Sequence, residues 1–130
     1  MKFIKSMTEL QKERFIIDLS ARVPYRTLVK AVDPINGVDI TYYLTSVYKD
    51  NVQVETDSGG IMACSIEAIR PILRYLDDIT EEERKEFESM CINGVITWKA
   101  ADYLNKIHVD YRGLGDMDLA INVTKENNPY

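Results

Sequence analysis

Scarcity is the first thing this chain shows. It holds two cysteines, one histidine and one tryptophan, and no apolar run approaches the ~20 residues of a membrane span. Two cysteines are too few for the disulfide framework of a small secreted scaffold. Cys64 sits in the apolar run Ile61-Met62-Ala63-Cys64 and Cys91 closes an amphipathic pattern, so both read as buried small hydrophobes. Nothing in their spacing calls for a bridge between them. The start, Met1-Lys2-Phe3-Ile4-Lys5, lacks an apolar stretch of signal-peptide length. The expectation is a cytoplasmic protein with no membrane segment.

A basic excess is also missing. The net charge is −5, and it is unevenly spread: residues 1–76 carry +1 and residues 77–130 carry −6. Phosphate neutralisation supplies most of the affinity of nucleic-acid binders. Arg22, Arg26 and Lys30 are too sparse to form a patch, so a nucleic-acid partner is not expected.

The usual signatures of catalysis are absent too. His108 is the single histidine, so any nucleophile–histidine pair must use it, and there is no G-x-S-x-G elbow. His108, Asp110, Asp116 and Asp118 form a local set of oxygen and nitrogen donors, but three carboxylates and one imidazole suit zinc poorly, and no calcium-loop pattern accompanies them. Gly113-Leu114-Gly115 follows a helix and lacks the lysine of a phosphate loop. The acidic run from Asp77 to Glu88 reads as a solvated helix start. No metal and no cofactor is expected, and the balance is against an enzyme.

What remains is a well-punctuated chain of 130 residues, the size of one domain. Three parts follow one another: an N-terminal helix over 1–24, a β-unit over 25–76 and a helical region over 77–130. Thr8-Glu9-Leu10-Gln11 is a capping box that opens a helix to about Arg22, with Leu10, Ile16, Ile17 and Leu19 as its apolar face. Pro24 ends it. Thr27 to Val32 and Asp39 to Tyr48 are rich in strand formers, with turn chemistry at Asp33-Pro34-Ile35-Asn36-Gly37 between them. Val52-Gln53-Val54-Glu55 alternates, which points Val52 and Val54 inward and Gln53 and Glu55 outward. Asp57-Ser58-Gly59-Gly60 turns the chain into a strand from Ile61. One helical turn over Ser65–Ile69 then precedes a strand over Arg70–Tyr75. The fold class is α+β: an SH3-like barrel or bent meander, with a plain antiparallel sheet under a helix as the alternative.

A second capping box, Thr80-Glu81-Glu82-Glu83, opens a helix anchored by Phe87, Met90 and Cys91 and ended by Asn93-Gly94. Thr97 caps a third, predicted to run to about His108 with Trp98, Ala101, Leu104 and Ile107 apolar. His108 then reads as a last-turn residue whose charged form would meet the helix dipole.

One segment stands apart. Within ten residues, Tyr103 to Arg112 packs amide, imidazole, carboxylate, phenol and guanidinium groups. His108, Asp110, Tyr111 and Arg112 are the candidate interaction or structural motif. Asp110 and Arg112 are placed for a local ion pair, and Tyr111 offers a ring to a cation. The landmarks Tyr103-Leu104-Asn105-Lys106, His108 and Asp110-Tyr111-Arg112-Gly113-Leu114 resemble a family of short uncharacterised proteins of gut Bacteroides-type bacteria and their prophages. Ala21-Arg22-Val23-Pro24-Tyr25, Ile69-Arg70-Pro71-Ile72-Leu73-Arg74 and the Thr80 box extend the resemblance over most of the chain. It implies bacterial or phage origin, a cytoplasmic location and one domain, and it implies no activity. The functional expectation is a non-enzymatic protein-interaction or accessory module with a protein partner. A small ligand-binding domain or enzyme built on the four motif residues is the alternative.

Overall fold

Both capping boxes form. In a computed structural model that describes residues 7–32 and 39–130, helix α1 spans Glu9–Arg22. The Thr8 hydroxyl accepts from the Gln11 amide and the Gln11 side chain accepts from the Thr8 amide. Each bond satisfies a donor that the first helical turn cannot pair internally. The inward face differs from the expected one. Phe15, Asp18, Leu19 and Arg22 are buried, while Leu10 and Ile17 point to solvent. The buried stripe runs at intervals of three and four residues, as a helix face must, but it includes an ion pair. Arg22 Nε and Nη2 donate to the two Asp18 carboxylate oxygens at 2.8 and 3.0 Å, with both side chains fully buried. Of the expected apolar face Leu19 is fully buried and Ile16 half-buried; the rest of the buried stripe is missed because charged residues normally mark the outer face. After Arg22 the chain makes a 3-10 turn, Val23–Tyr25, and Arg26 takes a left-handed φ of 50° into the first strand.

The chain divides into two compact units, Met1–Ile72 and Leu73–Tyr130. The first contains α1 and strands β1 (Leu28–Val32), β2 (Asp39–Val47), β3 (Asn51–Glu55) and β4 (Ile61–Ser65), together with the start of β5 (Ile69–Tyr75). All pairings in it are antiparallel, in the order β4-β3-β2-β1-β5. Val29, Ala31, Tyr42, Leu44, Val52 and Val54 turn inward and α1 packs on β2. Val52 and Val54 are fully buried while Gln53 and Glu55 are partly open, as the alternation requires. A register shift between Leu44 and Ser46 bends β2. Ser65 caps a 3-10 turn, Ile66–Ala68, between β4 and β5. The turn expected over 33–37 lies outside the described residues, as does the chain start.

The sheet is open, which corrects the barrel expectation. Among the described residues β4 pairs with β3 alone. Its side chains alternate between exposed and half-buried, so it presents an edge. Cys64 lies on that edge. It and Cys91 are free and only half-buried, against the expectation of full burial. Partial burial raises the Cys64 thiol pKa.

The second unit begins on the far end of β5. Helix α2 spans Glu81–Met90 and α3 spans Trp98–Lys106. Two strands that the sequence did not announce follow: β6 (Val109–Asp110), parallel to β5, and β7 (Ile121–Val123), which also pairs with β5. Runs of two and three residues are too short to show a period. The core here is Ile79, Leu104 and Val109, with Leu76, Phe87, Ile107 and Tyr111 packed against it. Helix α3 buries Ala100, Leu104 and Asn105, and Trp98 is turned outward. No helix among the described residues is long and apolar enough to cross a membrane.

The Asp18–Arg22 pair sets a prediction. Arg22→Met removes the guanidinium that holds the buried Asp18 carboxylate with two hydrogen bonds and is expected to cost about 3–5 kcal/mol. The double variant Asp18→Leu, Arg22→Met removes both charges and should recover most of that loss. Urea unfolding of the three proteins measures it. Equal losses in the single and double variants would mean the pair's charges are not what matters there.

Candidate functional site

The motif around His108 is built from the end of α3 outward. The helix stops at Lys106, two residues short of the predicted end, and Ile107 is its cap. His108 has a left-handed φ of 64° and donates its amide to the Asn105 carbonyl. It therefore occupies the reversing position after the helix, a place more often taken by glycine or asparagine. Its ring stacks on Tyr130, with centroids 3.7 Å apart and planes 10° from parallel.

Asp110 does not pair with Arg112. Its carboxylate accepts from the Leu114 and Gly115 amides at 3.0 and 2.9 Å, and from Asn122 Nδ2 at 3.1 Å. One side chain thus closes the loop over 110–115 and ties it to β7. The Asp110 carboxylate is already turned to these three donors, so the D-x-R spacing makes no pair. Gly113 supplies the reversal with a φ of 71°. A Cβ on Gly115 would collide with the Asn122 amide group, so a larger residue there must displace Asn122 from Asp110. The Arg112 guanidinium lies 4.5 Å from the Tyr111 ring centroid, the cation–ring contact expected. The four motif residues therefore neighbour one another in the chain but do different jobs: reversal, loop closure, core packing and ring cover. Asp116 and Asp118 do not join His108 and Asp110, and no group of three metal-ligating side chains gathers among the described residues.

Arg74 links this motif to both helices of the second unit. Its amide donates to the His108 carbonyl at 2.7 Å, and Nη1 donates to the Ile107 carbonyl at 3.1 Å. The same guanidinium grips Glu83 with two bonds, 2.8 and 2.7 Å. Glu83 is also the reciprocal member of the α2 capping box, accepting from the Thr80 amide. The Arg74 hydrogen bonds pull the Glu83 carboxyl down to about 2, helped by the Thr80 amide against a smaller opposing effect of burial.

A different face was not anticipated from sequence. Between α2 and α3, Asn93 and Gly94 both have positive φ, 52° and 76°, and Ile92 and Val95 exchange backbone hydrogen bonds of 3.0 and 2.9 Å. This is a miniature hairpin of the kind Asn-Gly favours. It holds out Ile92 (66% exposed), Val95 (65%) and Ile96 (44%), and Trp98, at the start of α3, is 78% exposed. Next to them an open groove of about 440 Å³ is lined by Leu76, Phe87, Glu88, Cys91, Asn93, Gly94 and Ile96. Its apolar floor, Leu76 and Phe87, is the outer layer of the unit's core. The signal in the sequence is Asn-Gly set between the aliphatic residues Ile92 and Val95, a pattern that serves a helix stop equally well.

No family model, curated protein or solved structure matches this chain.

Two outcomes follow. Asp110→Ala strands two loop amides and is expected to cost roughly 1–3 kcal/mol, Arg112→Ala under about 1 kcal/mol, with the double variant additive in thermal melts. A coupling above about 0.5 kcal/mol would restore the Asp110–Arg112 pair. Acid titration tests the Glu83 clasp. Because its folded pKa of about 2 lies below its ordinary value of 4.5, its contribution is full above pH 4.5 and fades as pH falls towards 2. Glu83→Gln should flatten that acid limb and cost roughly 1–2 kcal/mol at neutral pH, discounted for solvent screening. An unchanged acid limb would show that the clasp does not form.

Proposed function

We propose that this chain is a non-enzymatic protein-interaction or accessory module whose docking face is the corner between α2 and α3. One observation carries the reading: four large apolar side chains, Ile92, Val95, Ile96 and Trp98, are exposed within one short stretch of chain, and Ile96 among them lines an apolar groove. Burying such side chains stabilises a complex, and contiguous exposed patches of this kind mark interaction sites. Tryptophan is among the residues most enriched where interface energy concentrates. The reading is supported over the ligand-site alternative by the work the motif residues already do, since Asp110 is spent on its own loop and the groove is lined by none of the four.

A bacterial or prophage origin and a cytoplasmic location belong to the same proposal and rest on the LNK-x-H-x-DYRGL resemblance. The β-unit is, on this proposal, an opened relative of the SH3-like barrel. Its support is the strand order β4-β3-β2-β1-β5 with a 3-10 turn before the last strand.

Site-specific photo-cross-linking tests the docking face. A benzophenone side chain at Val95 should yield one saturable protein adduct in cells, while the same group at the exposed Tyr48 should not. The adduct should vanish in Ile92→Ser, Ile96→Ser, and the melting temperature of that variant should stay close to that of the parent, because exposed substitutions are worth within about 0.5 kcal/mol. Equal labelling from both positions, or an adduct indifferent to the double substitution, would refute the assignment.

A further inference from the structure

We infer that the occupant of this corner is a basic amphipathic helix of a partner protein, an inference that rests on the docking reading above. The hairpin at the tip of the corner is closed on itself and offers an extended peptide little backbone to pair with. The Ile92 and Val95 amides and carbonyls are bonded to each other, the Cys91 amide to Glu88, and the Met90 carbonyl to the Thr97 hydroxyl. Asn93 and Gly94 are left-handed, so they present no strand edge. A segment that docks here must satisfy its own backbone, and a helix does so while placing apolar side chains at i and i+4 on one face.

Charge gives the sign of the partner. Glu88 is the one charged residue in the groove lining. The exposed charges of α2 are Glu81, Glu82, Glu86 and Glu88 against Arg84 and Lys85, and residues 77–130 carry −6 in all. An acidic α2 wall with Glu88 in the groove attracts Lys and Arg and repels other acids, although α3 adds Lys99 and Lys106 against Asp102. The same charge disfavours an anionic lipid surface, and it disfavours a second copy of this face, which would set like charges against one another.

The test uses the full chain and a displayed library of amphipathic helices about 14 residues long, below which isolated helices are marginal. The library carries apolar residues at i and i+4 and random charge elsewhere. Trp98, the sole tryptophan, reports binding at the corner directly. Selected peptides should be enriched in Lys and Arg and should shift Trp98 emission to the blue. They should bind roughly tenfold more weakly to Glu88→Lys and be lost in Ile92→Ser, Ile96→Ser. Neutral or acidic winners that still need Ile92 and Ile96 would overturn the basic helix and leave the docking face standing. Binders indifferent to Ile92→Ser, Ile96→Ser, or a library without binders, would overturn both. Self-association abolished by that double variant, or a Trp98 blue shift on vesicles of phosphatidylcholine and phosphatidylglycerol, would each overturn the inference in favour of a second copy or a lipid surface.

Discussion

The grip of Arg74 on Glu83 is the contact on which the second unit depends. Helix α2 has no fully buried residue, so hydrophobic burial alone holds it weakly. Its start is fixed because Glu83 serves two partners, the Thr80 amide and the Arg74 guanidinium. The same guanidinium reaches the carbonyl of Ile107 at the end of α3. One side chain on β5 thereby places the beginning of one helix and the end of the other. The pair is 12% and 22% exposed, sheltered enough for its hydrogen bonds to count yet open enough to avoid the desolvation cost of a fully buried pair.

That placement bears on function because α2 forms a wall of the groove. Phe87 and Glu88 line it from the helix, Cys91 from its cap, and Ile96 from the segment that follows the Asn93-Gly94 turn. The turn spends its own backbone bonds between Ile92 and Val95, so its side chains are held outward by a closed hydrogen-bonded unit. An apolar face kept open in this way costs solubility and adds nothing to folding, which is the physical reason for reading it as a surface meant to be covered. The DYRGL segment, the most distinctive run in the sequence, is the mechanical part: it reverses the chain at His108 and ties its loop through Asp110.

Local features were legible in the sequence, and long-range ones were not. Both capping boxes could be read because donor and acceptor lie three residues apart. The alternation of Val52 to Glu55 could be read because a strand's period is two. The face of α1 could not, since nothing local distinguishes the buried Asp18–Arg22 pair from an ordinary surface pair at the same spacing. Of the apolar residues of α3, Leu104 is buried as its pattern suggests, while Trp98 occupies the first helical position and points to solvent. Asp110 was assigned the nearest cation when its true partners are two backbone amides and Asn122, none of which sequence spacing can nominate. Whether the four-strand meander closes was beyond reach for the same reason: it turns on whether β4 finds a second neighbour.

The most direct measurement is the solvent exposure of Trp98 in the free protein, read by acrylamide quenching and emission maximum while circular dichroism verifies that the chain is folded. The account predicts red-shifted emission typical of water-exposed indole and a quenching constant that changes little on unfolding in urea. Blue-shifted emission with strong protection from acrylamide would mean that the protein covers this corner itself, and the docking face would not exist.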